Sequence, residues 1–273
     1  MINPRNYLSS TINELISSAI TWINQGQKIA LLTLVSVEGS APYPVGTQML
    51  VREDGEYKGQ ITGGCAETSL VEQALTVIDN GKNVIERYGL NSRFFDIKLP
   101  CGSGLDIEFD VQTPLHEYVN IARKLRNRQT VVVSDVKRYL PTPRILLFGQ
   151  GPIVTSLVQL ATASGFDVLL FDHQKQRDFT CYCDQQTCLV SLFHEHELEI
   201  DILATAVRQP LFFIGALGSR KTHTIRIEQL SELGVGVNQL KKIHGPIGID
   251  IHSQTPEQIA ISIIAQVILE MNK

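Results

Sequence analysis

A cysteine that directly follows two glycines is the first place in the chain where chemistry is expected. Gly63, Gly64 and Cys65 precede residues 70–78, whose apolar positions recur at helical spacing. A thiol at the start of a helix ionises more readily, because the helix dipole places partial positive charge there. The soft thiolate would suit a soft metal or the carriage of sulfur. The alternative is a small buried hydrophobe, the commoner fate of a lone cysteine, although the glycines favour a functional role.

A second thiol has a similar setting. Cys101 follows Pro100 and is followed by Gly102, Ser103 and Gly104. The glycines permit sharp bends in this segment. Cys101 could therefore face Cys65 across one cleft, and the sequence leaves this open.

The remaining cysteines favour free thiols. Cys181, Cys183 and Cys188 have the spacing C-x-C-x4-C, which lacks the C-x2-C pairs typical of zinc sites, so we expect no structural zinc. Residues 1–11 show neither the basic start nor the apolar core of a secretory signal, which favours a cytoplasmic protein. Thiols stay reduced in that compartment, and disulfides are not expected.

A glycine-rich turn in the second half of the chain indicates a nucleotide or phosphate site. Gly149 and Gly151 lie between a predicted strand and a predicted helix, where backbone amides and the helix dipole can face a pyrophosphate. Asp172 follows about 20 residues later, at the end of the next predicted strand, where a carboxylate can bind ribose hydroxyls. The third position of the fingerprint is Val154 instead of glycine. NAD(P) or another nucleotide is therefore one interpretation, and a turn needed only for packing is the other.

Two further segments carry candidate ligand-binding groups. Gly218, Ser219 and Arg220 precede a predicted helix, so backbone amides and a guanidinium could hold a phosphate group. A solvated basic helix start is the alternative. Residues 245–250 form a predicted tight turn in which Asp250 is the group suited to acid–base or ligand chemistry.

Composition restricts the class of protein. The chain has 273 residues, of which 43% are hydrophobic and 19% charged, a balance typical of globular domains. No apolar run approaches the roughly 18 residues of a membrane span. The net charge is -4 and no long basic block is present, so nucleic acid is not an expected partner.

The element pattern predicts an α/β protein with two domains. In the first half, capping and periodicity predict helices and strands that form a mixed α/β domain, with helices at 11–25, 65–81 and 115–126 and strands at 28–37, 47–52, 57–61, 105–111 and 130–136. Residues 138–143 have the two prolines of a linker. We therefore expect domains at 1–140 and 141–273. The alternation of strands and helices after residue 144 predicts a Rossmann-like, doubly wound parallel sheet in the second.

Motifs in both halves resemble one known family. The N-terminal motifs are Glu38-Gly-Ser40-Ala-Pro42, Val45-Gly46 and Gly63-Gly64-Cys65-Ala-Glu67. The C-terminal motifs are Gly149-x-Gly151-Pro152, Phe213-Ile-Gly215-Ala-Leu-Gly218-Ser219-Arg220, Pro246-Ile-Gly248-Ile-Asp250 and Thr255-Pro256-Glu257. In order and spacing they resemble the xanthine dehydrogenase accessory (XdhC/CoxI) family over nearly the whole chain. Two departures are Cys101-Gly-Ser-Gly in place of C-G-G, and the absence of an arginine after Asp172.

This resemblance implies a chaperone for the molybdenum cofactor (molybdopterin). It would assist maturation, sulfuration and insertion of that cofactor into a xanthine dehydrogenase-class molybdoenzyme, with Cys65 as candidate molybdenum ligand through the bound cofactor. A homodimer is implied, and a cysteine desulfurase is a further candidate partner. The candidate cofactor-binding residues are Gly63, Gly64, Cys65, Glu67, Cys101, Gly149, Gly151, Asp172, Gly218, Ser219, Arg220 and Asp250.

Two alternatives stay open at this point. Glu67 lies in the first turn of its predicted helix and is either a proton acceptor or a favourable charge at the helix start. The chain as a whole could instead be an NAD(P)-dependent oxidoreductase acting on a small molecule. The second domain, however, lacks a clear acid–base constellation, and Cys65 lies outside its nucleotide unit.

Overall fold

The chain folds into two compact units. The structure is a computed structural model that describes residues 11–92, 102–171, 178–193 and 196–273, with side chains of the last range from 199 onward. The units are Met1–Pro141 and Thr142–Lys273. The first is a mixed α/β unit and the second is Rossmann-like, which confirms the predicted fold class. In the described ranges no helix is both long and apolar enough to cross a membrane.

The first unit contains an antiparallel five-stranded sheet and three helices. The strands have the order β3-β2-β1-β5-β4. In chain order the elements are α1 (Ile12–Asn24), β1 (Ile29–Glu38), β2 (Gln48–Arg52), β3 (Tyr57–Gly59), α2 (Glu67–Asn80), β4 (Val84–Gly89), β5 (Gly104–Asp110), α3 (Leu115–Arg126), β6 (Val131–Val132) and β7 (Arg138–Tyr139). β6 and β7 form a separate small hairpin.

Helices cover both faces of this sheet. Because successive side chains of a strand point to opposite faces, Leu32 and Leu34 of β1 pack in one core cluster and Leu31 packs in another. The first cluster includes Leu70 and Ala74 of α2. The second contains apolar residues of α1 and α3. Helix α2 is thereby fixed against β1, and its N-terminus places the candidate cysteine.

Local signals located most of these elements. The capping box of Thr11 and Glu14 is present, the turn at Gly55 joins β2 to β3, and α2 ends at Gly81 in a left-handed conformation. The start of α2 at residue 65 is wrong, because the helix begins at Glu67. The predicted strand 130–136 is wrong beyond its first residues. There the chain turns back, and the backbone of Lys137 bonds to that of residue 133, which leaves only β6 paired with β7.

The second unit is a parallel sheet with helices on both faces. Its strand order is β12-β11-β10-β8-β9, with every pair parallel. The elements are β8 (Arg144–Gly149), α4 (Pro152–Ala163), β9 (Asp167–Phe171), β10 (Thr187–Leu192), α5 (His196–Ala206), β11 (Phe213–Ala216), α6 (Arg220–Glu232), α7 (Val237–Leu240), β12 (Ile243–His244) and α8 (Pro256–Met271). A 3₁₀ turn spans Thr180–Tyr182.

Side-chain alternation in β8 shows how this sheet is covered. Ile145 and Leu147 pack in a cluster with α4 and α8, whereas Leu146 and Phe148 pack in a cluster with α5 and α6. Chain direction across the sheet reverses next to β8, because β9 lies on one side and β10 on the other. In doubly wound sheets, ligands bind outside the carboxyl ends of the strands at such a switch point.

A buried ion pair joins the β6–β7 hairpin to the sheet of the first unit. Nζ of Lys137 lies 2.8 Å from Oε2 of Glu108 and 3.1 Å from Oδ2 of Asp110. Burial alone would raise the pKa of Asp110. The hydrogen bond from the Thr113 hydroxyl and the charge of Lys137 outweigh it, so this pKa lies below its ordinary value. The carboxylate is therefore ionised at neutral pH and depends on its cation.

We expect Lys137→Met to lower the free energy of unfolding by about 3 kcal/mol at neutral pH, because Asp110 is left as a buried carboxylate without its cation. A depressed carboxyl pKa adds stability above the ordinary carboxyl range, and this stability is lost as pH falls through the folded pKa. The deficit should therefore shrink below about pH 4. Urea unfolding followed by the fluorescence of Trp22, the chain's single tryptophan and part of this unit, measures it.

Lys82→Met is the matched control, because Lys82 is exposed. It should leave the unfolding curve unchanged. A Lys137→Met deficit of the same size in acid and at neutral pH would contradict this account of Asp110.

Candidate functional site

A buried carboxylate organises the loop that carries Cys65. In this thiol loop, residues 61–66, the backbone N–H groups of Ile61, Thr62, Gly64 and Ala66 donate to the carboxylate of Glu67 at 3.2, 2.8, 2.8 and 3.3 Å. The hydroxyl of Thr62 donates to the same carboxylate at 2.5 Å. Glu67 is only 7% exposed. Its oxygens are thus directed at the loop.

The charge state of Glu67 follows from these donors. Burial raises its pKa, but the hydrogen bonds from the Thr62 hydroxyl and from loop amides outweigh burial, so the pKa lies below its ordinary value. Of the two roles considered for Glu67, a charge at the helix start is close to what is seen. The carboxylate in addition accepts the loop's own hydrogen bonds, a role that sequence reasoning missed.

Cys65 itself is presented to solvent. The thiol is free and the residue is exposed. Gly63 and Gly64 have φ angles of 72° and 102°, which side-chain-bearing residues rarely adopt. A Cβ at Gly64 would meet no atom within 4 Å, so the space beside the thiol is open. Cys65 precedes α2 by two residues and is therefore not the first residue of the helix.

Other motif segments lie beside this loop. A Cβ at Gly63 would come 3.7 Å from the ring of Pro42. The hydroxyl of Ser103 donates to the carbonyl oxygen of Ser40, and a Cβ at Gly39 would come 3.5 Å from that hydroxyl. The structure thus brings three motif segments together around one end of the sheet. Cys101 lies outside the described residues.

The glycine turn of the second unit has two glycines with different duties. A Cβ at Gly149 would lie 2.9 Å from the carbonyl oxygen of Leu192, so close packing requires this glycine. A Cβ at Gly151 would meet nothing within 4 Å. Gly151 is the N-cap of α4 at φ 100° and supplies no side-chain hydrogen bond to the helix. The first amides of α4 therefore face open space.

A cavity opens at this turn. Its volume is about 410 Å³, and it is lined by Gln150, Gly151, Pro152, Ile153, Leu192 and Leu217. The walls are aliphatic on the side of β10 and β11, while the start of α4 contributes backbone amides. This arrangement can hold a flat ring against the aliphatic wall and an anionic group at the helix start. Asp172 lies outside the described residues.

The segment from Gly218 to Arg220 begins next to this cavity, after Leu217. Ser219 caps α6 by accepting the N–H of Thr222 at 3.1 Å, and Arg220 is exposed. The buried Arg226 of α6 donates to the carbonyl oxygen of Leu217 at 2.6 Å. The cavity wall is thereby held from beneath.

Arg226 is in turn held by a buried carboxylate. It donates to Oε2 of Glu199 at 2.9 Å, and both side chains are 1% exposed. The other oxygen of Glu199 accepts from the hydroxyl of Ser191, next to the cavity residue Leu192. Sequence patterns had suggested only that a basic helix follows Gly218. The pairing of Arg226 with Glu199 joins two helices and carried no local signal.

The remaining predicted residues lie apart from the cavity lining. Asp250 is exposed after β12 and accepts the backbone N–H of His252 at 3.2 Å. Burial raises the pKa of Cys183 to about 11, and burial also raises that of Cys188 in β10. These two thiols are poorly ionised at neutral pH. Among the described residues no group of three or more His, Cys, Asp or Glu side chains could hold a metal ion.

Fold and site together define a class of protein with an exposed, loop-borne thiol in one unit and a Rossmann-type cavity in the other. Family models match the chain in both units. Residues 22–89 match the XdhC and CoxI family, and residues 145–267 match the XdhC Rossmann domain. The two matches cover more than half of the chain, which belongs to the XdhC and CoxI family.

Several named proteins are similar over most of their length. The Escherichia coli K12 protein named molybdenum cofactor insertion chaperone PaoD is 29% identical, over 96% of this chain and 89% of that protein. A Bacillus subtilis protein, named as one of the probable subunits of xanthine dehydrogenase, is 22% identical, over 89% of this chain and 93% of that protein. A crystal structure from Bacillus halodurans, described as a xanthine dehydrogenase, has a TM-score of 0.75 at 22% identity and covers 94% of this chain and 95% of its own. That last likeness shows the fold.

The two glycines of the cavity turn should respond differently to alanine. We expect Gly149→Ala to destabilise the protein by about 3 kcal/mol, because the new Cβ clashes with a backbone oxygen and the φ angle is strained. Gly151→Ala should cost about 1 kcal/mol, since it has only the strained φ angle. Urea unfolding followed by circular dichroism compares them. Equal losses would contradict the assignment of Gly149 to packing and Gly151 to an open site.

Proposed function

We propose that this protein is a chaperone that binds the molybdenum cofactor and assists its sulfuration and its insertion into a xanthine dehydrogenase-class molybdoenzyme. The observation that carries the proposal is the exposed thiol of Cys65 on a loop held by hydrogen bonds. Membership of the XdhC and CoxI family and the likeness to PaoD over nearly the full length support it.

The residues present suit the chemistry of this cofactor. A thiolate is a soft ligand and can bind molybdenum through the cofactor. The amides at the start of α4 can hold a phosphate or pyrophosphate group, and the aliphatic cavity wall can hold a pterin ring. When bound, the cofactor supplies the redox chemistry of molybdenum, which is used in the recipient enzyme. The chain's own residues bind, orient and shield it.

The proposed roles divide between residues 1–140 and residues 141–273. In the first part Cys65 is the candidate molybdenum ligand, Gly63 and Gly64 allow close approach, and Cys101 is a second candidate thiol. In the second part the phosphate-binding candidates are Gly149, Gly151, Gly218, Ser219 and Arg220, with Asp172 and Asp250 as candidate polar contacts. A cysteine desulfurase as sulfur source, a homodimeric assembly and a cytoplasmic location complete the proposal.

An NAD(P)-dependent oxidoreductase is the second candidate function. The observation in its favour is the cavity at the switch point of a Rossmann-like sheet, a usual dinucleotide position. Calorimetric titration with NAD(P)H separates the two candidates. Tight binding of the dinucleotide by protein that carries neither pterin nor molybdenum would favour the oxidoreductase over the chaperone.

The proposed function predicts that Cys65→Ala removes cofactor without unfolding the protein. The substitution deletes the soft ligand, and Cys65 is exposed, so no core contact is lost. Protein made in a cofactor-producing host should lose most of its molybdenum and of its oxidised-pterin fluorescence. Its circular dichroism spectrum should not change.

Cys181→Ser is the matched control, since Cys181 is also an exposed free thiol but lies in the other unit. It should retain the full cofactor content. Equal cofactor content in Cys65→Ala and in the unmutated protein would show that Cys65 is not the ligand.

A further inference from the structure

We infer that Glu67 is a positioning residue for cofactor capture, an internal anion that fixes the thiol loop so that Cys65 stays directed at solvent. This inference rests on the proposed function and deepens it. Glu67 acts through the loop and is not itself a ligand, because its carboxylate is buried and its oxygens already accept five hydrogen bonds from the loop.

The hydrogen bonds hold the loop on both sides of Cys65. Oε2 of Glu67 accepts the N–H of Gly64 immediately before the cysteine and that of Ala66 immediately after it. The hydroxyl of Thr62 accepts the N–H of Ala66 as well, at 2.9 Å, and donates to Glu67. Since the residues on either side are held, the backbone of Cys65 has little freedom to turn its side chain inward.

Such a fixed arrangement is needed because this loop is intrinsically mobile in sequence terms. Glycine loses more conformational freedom on folding than any other residue, and two adjacent glycines precede Cys65. The same glycines reach φ angles that let several consecutive amides converge on one carboxylate. An ionised carboxylate is costly to bury, and the convergent donors offset that cost. Loop and carboxylate therefore stabilise each other.

The internal anion also affects which part of a ligand binds here. The N-terminus of a helix usually attracts phosphate. At α2 the amides of Gly64 and Ala66 are already bonded to Glu67, whereas α4 has no side-chain cap. The thiol loop thus offers sulfur to a soft group, and an anionic group of the same ligand must find its donors elsewhere.

The substitution Glu67→Gln tests the inference with little change in volume. A glutamine has one oxygen and one NH₂ group, and the NH₂ group would point at backbone N–H donors. Two or more hydrogen bonds are lost, so hydrogen exchange of peptides covering residues 59–66 should accelerate about tenfold. Peptides covering residues 70–80 of α2 should exchange at the unmutated rate. Glu72→Gln, on the exposed side of the same helix, is the control and should change neither.

Cofactor content is the second measurement, because a purely structural role would not alter it well below the melting temperature. Glu67→Gln should bind the molybdenum cofactor about tenfold more weakly, although Cys65 is intact. Unchanged exchange of the loop, or faster exchange with unchanged cofactor affinity, would overturn the inference. If the unmutated protein carries no cofactor, the proposed function fails instead, and loop exchange alone decides whether Glu67 fixes the loop.

Discussion

The convergence of loop amides on the carboxylate of Glu67 is the interaction on which the candidate thiol site depends. Helix α2 can place that carboxylate because Leu70 and Ala74 fix the helix in the core beside β1. The position of the sheet thus sets the position of the helix, which sets that of the carboxylate. The carboxylate in turn sets the loop that presents Cys65. Each step is a short-range packing or hydrogen-bond constraint, so a small thiol-bearing loop acquires a defined geometry.

The two units supply complementary kinds of binding group. The first offers an exposed thiol beside amides that already bond to the protein's own anion. The second offers uncapped helix amides and an aliphatic cavity wall, and the Glu199–Arg226 pair holds that wall through Leu217. A ligand with both a soft metal centre and an anionic group would find suitable partners for each in this chain. Molybdenum cofactor has this combination, in agreement with the family to which the chain belongs.

Sequence reasoning located features whose cause is local. Helix caps, the turn at Gly55 and the glycine turn before α4 depend on neighbouring residues, and the alternating pattern of β8 follows from its burial on both faces. Strand β4 gave no clear signal, because this edge strand mixes apolar and charged residues and is defined by its pairing with β5. The contact of Ser103 with Ser40 spans 63 positions, and the role of Glu67 depends on backbone angles at two glycines. Neither could be read from spacing.

Protection of Cys65 by bound cofactor tests the central claim most directly. The tryptic peptide between Lys58 and Lys82 contains Cys65 as its single cysteine, so mass spectrometry can follow alkylation at this thiol alone. The account predicts that iodoacetamide modifies Cys65 slowly in cofactor-loaded protein and rapidly after the cofactor is removed, while Cys181 reacts alike in both. Equal alkylation of Cys65 in loaded and cofactor-free protein would contradict its assignment as the molybdenum ligand.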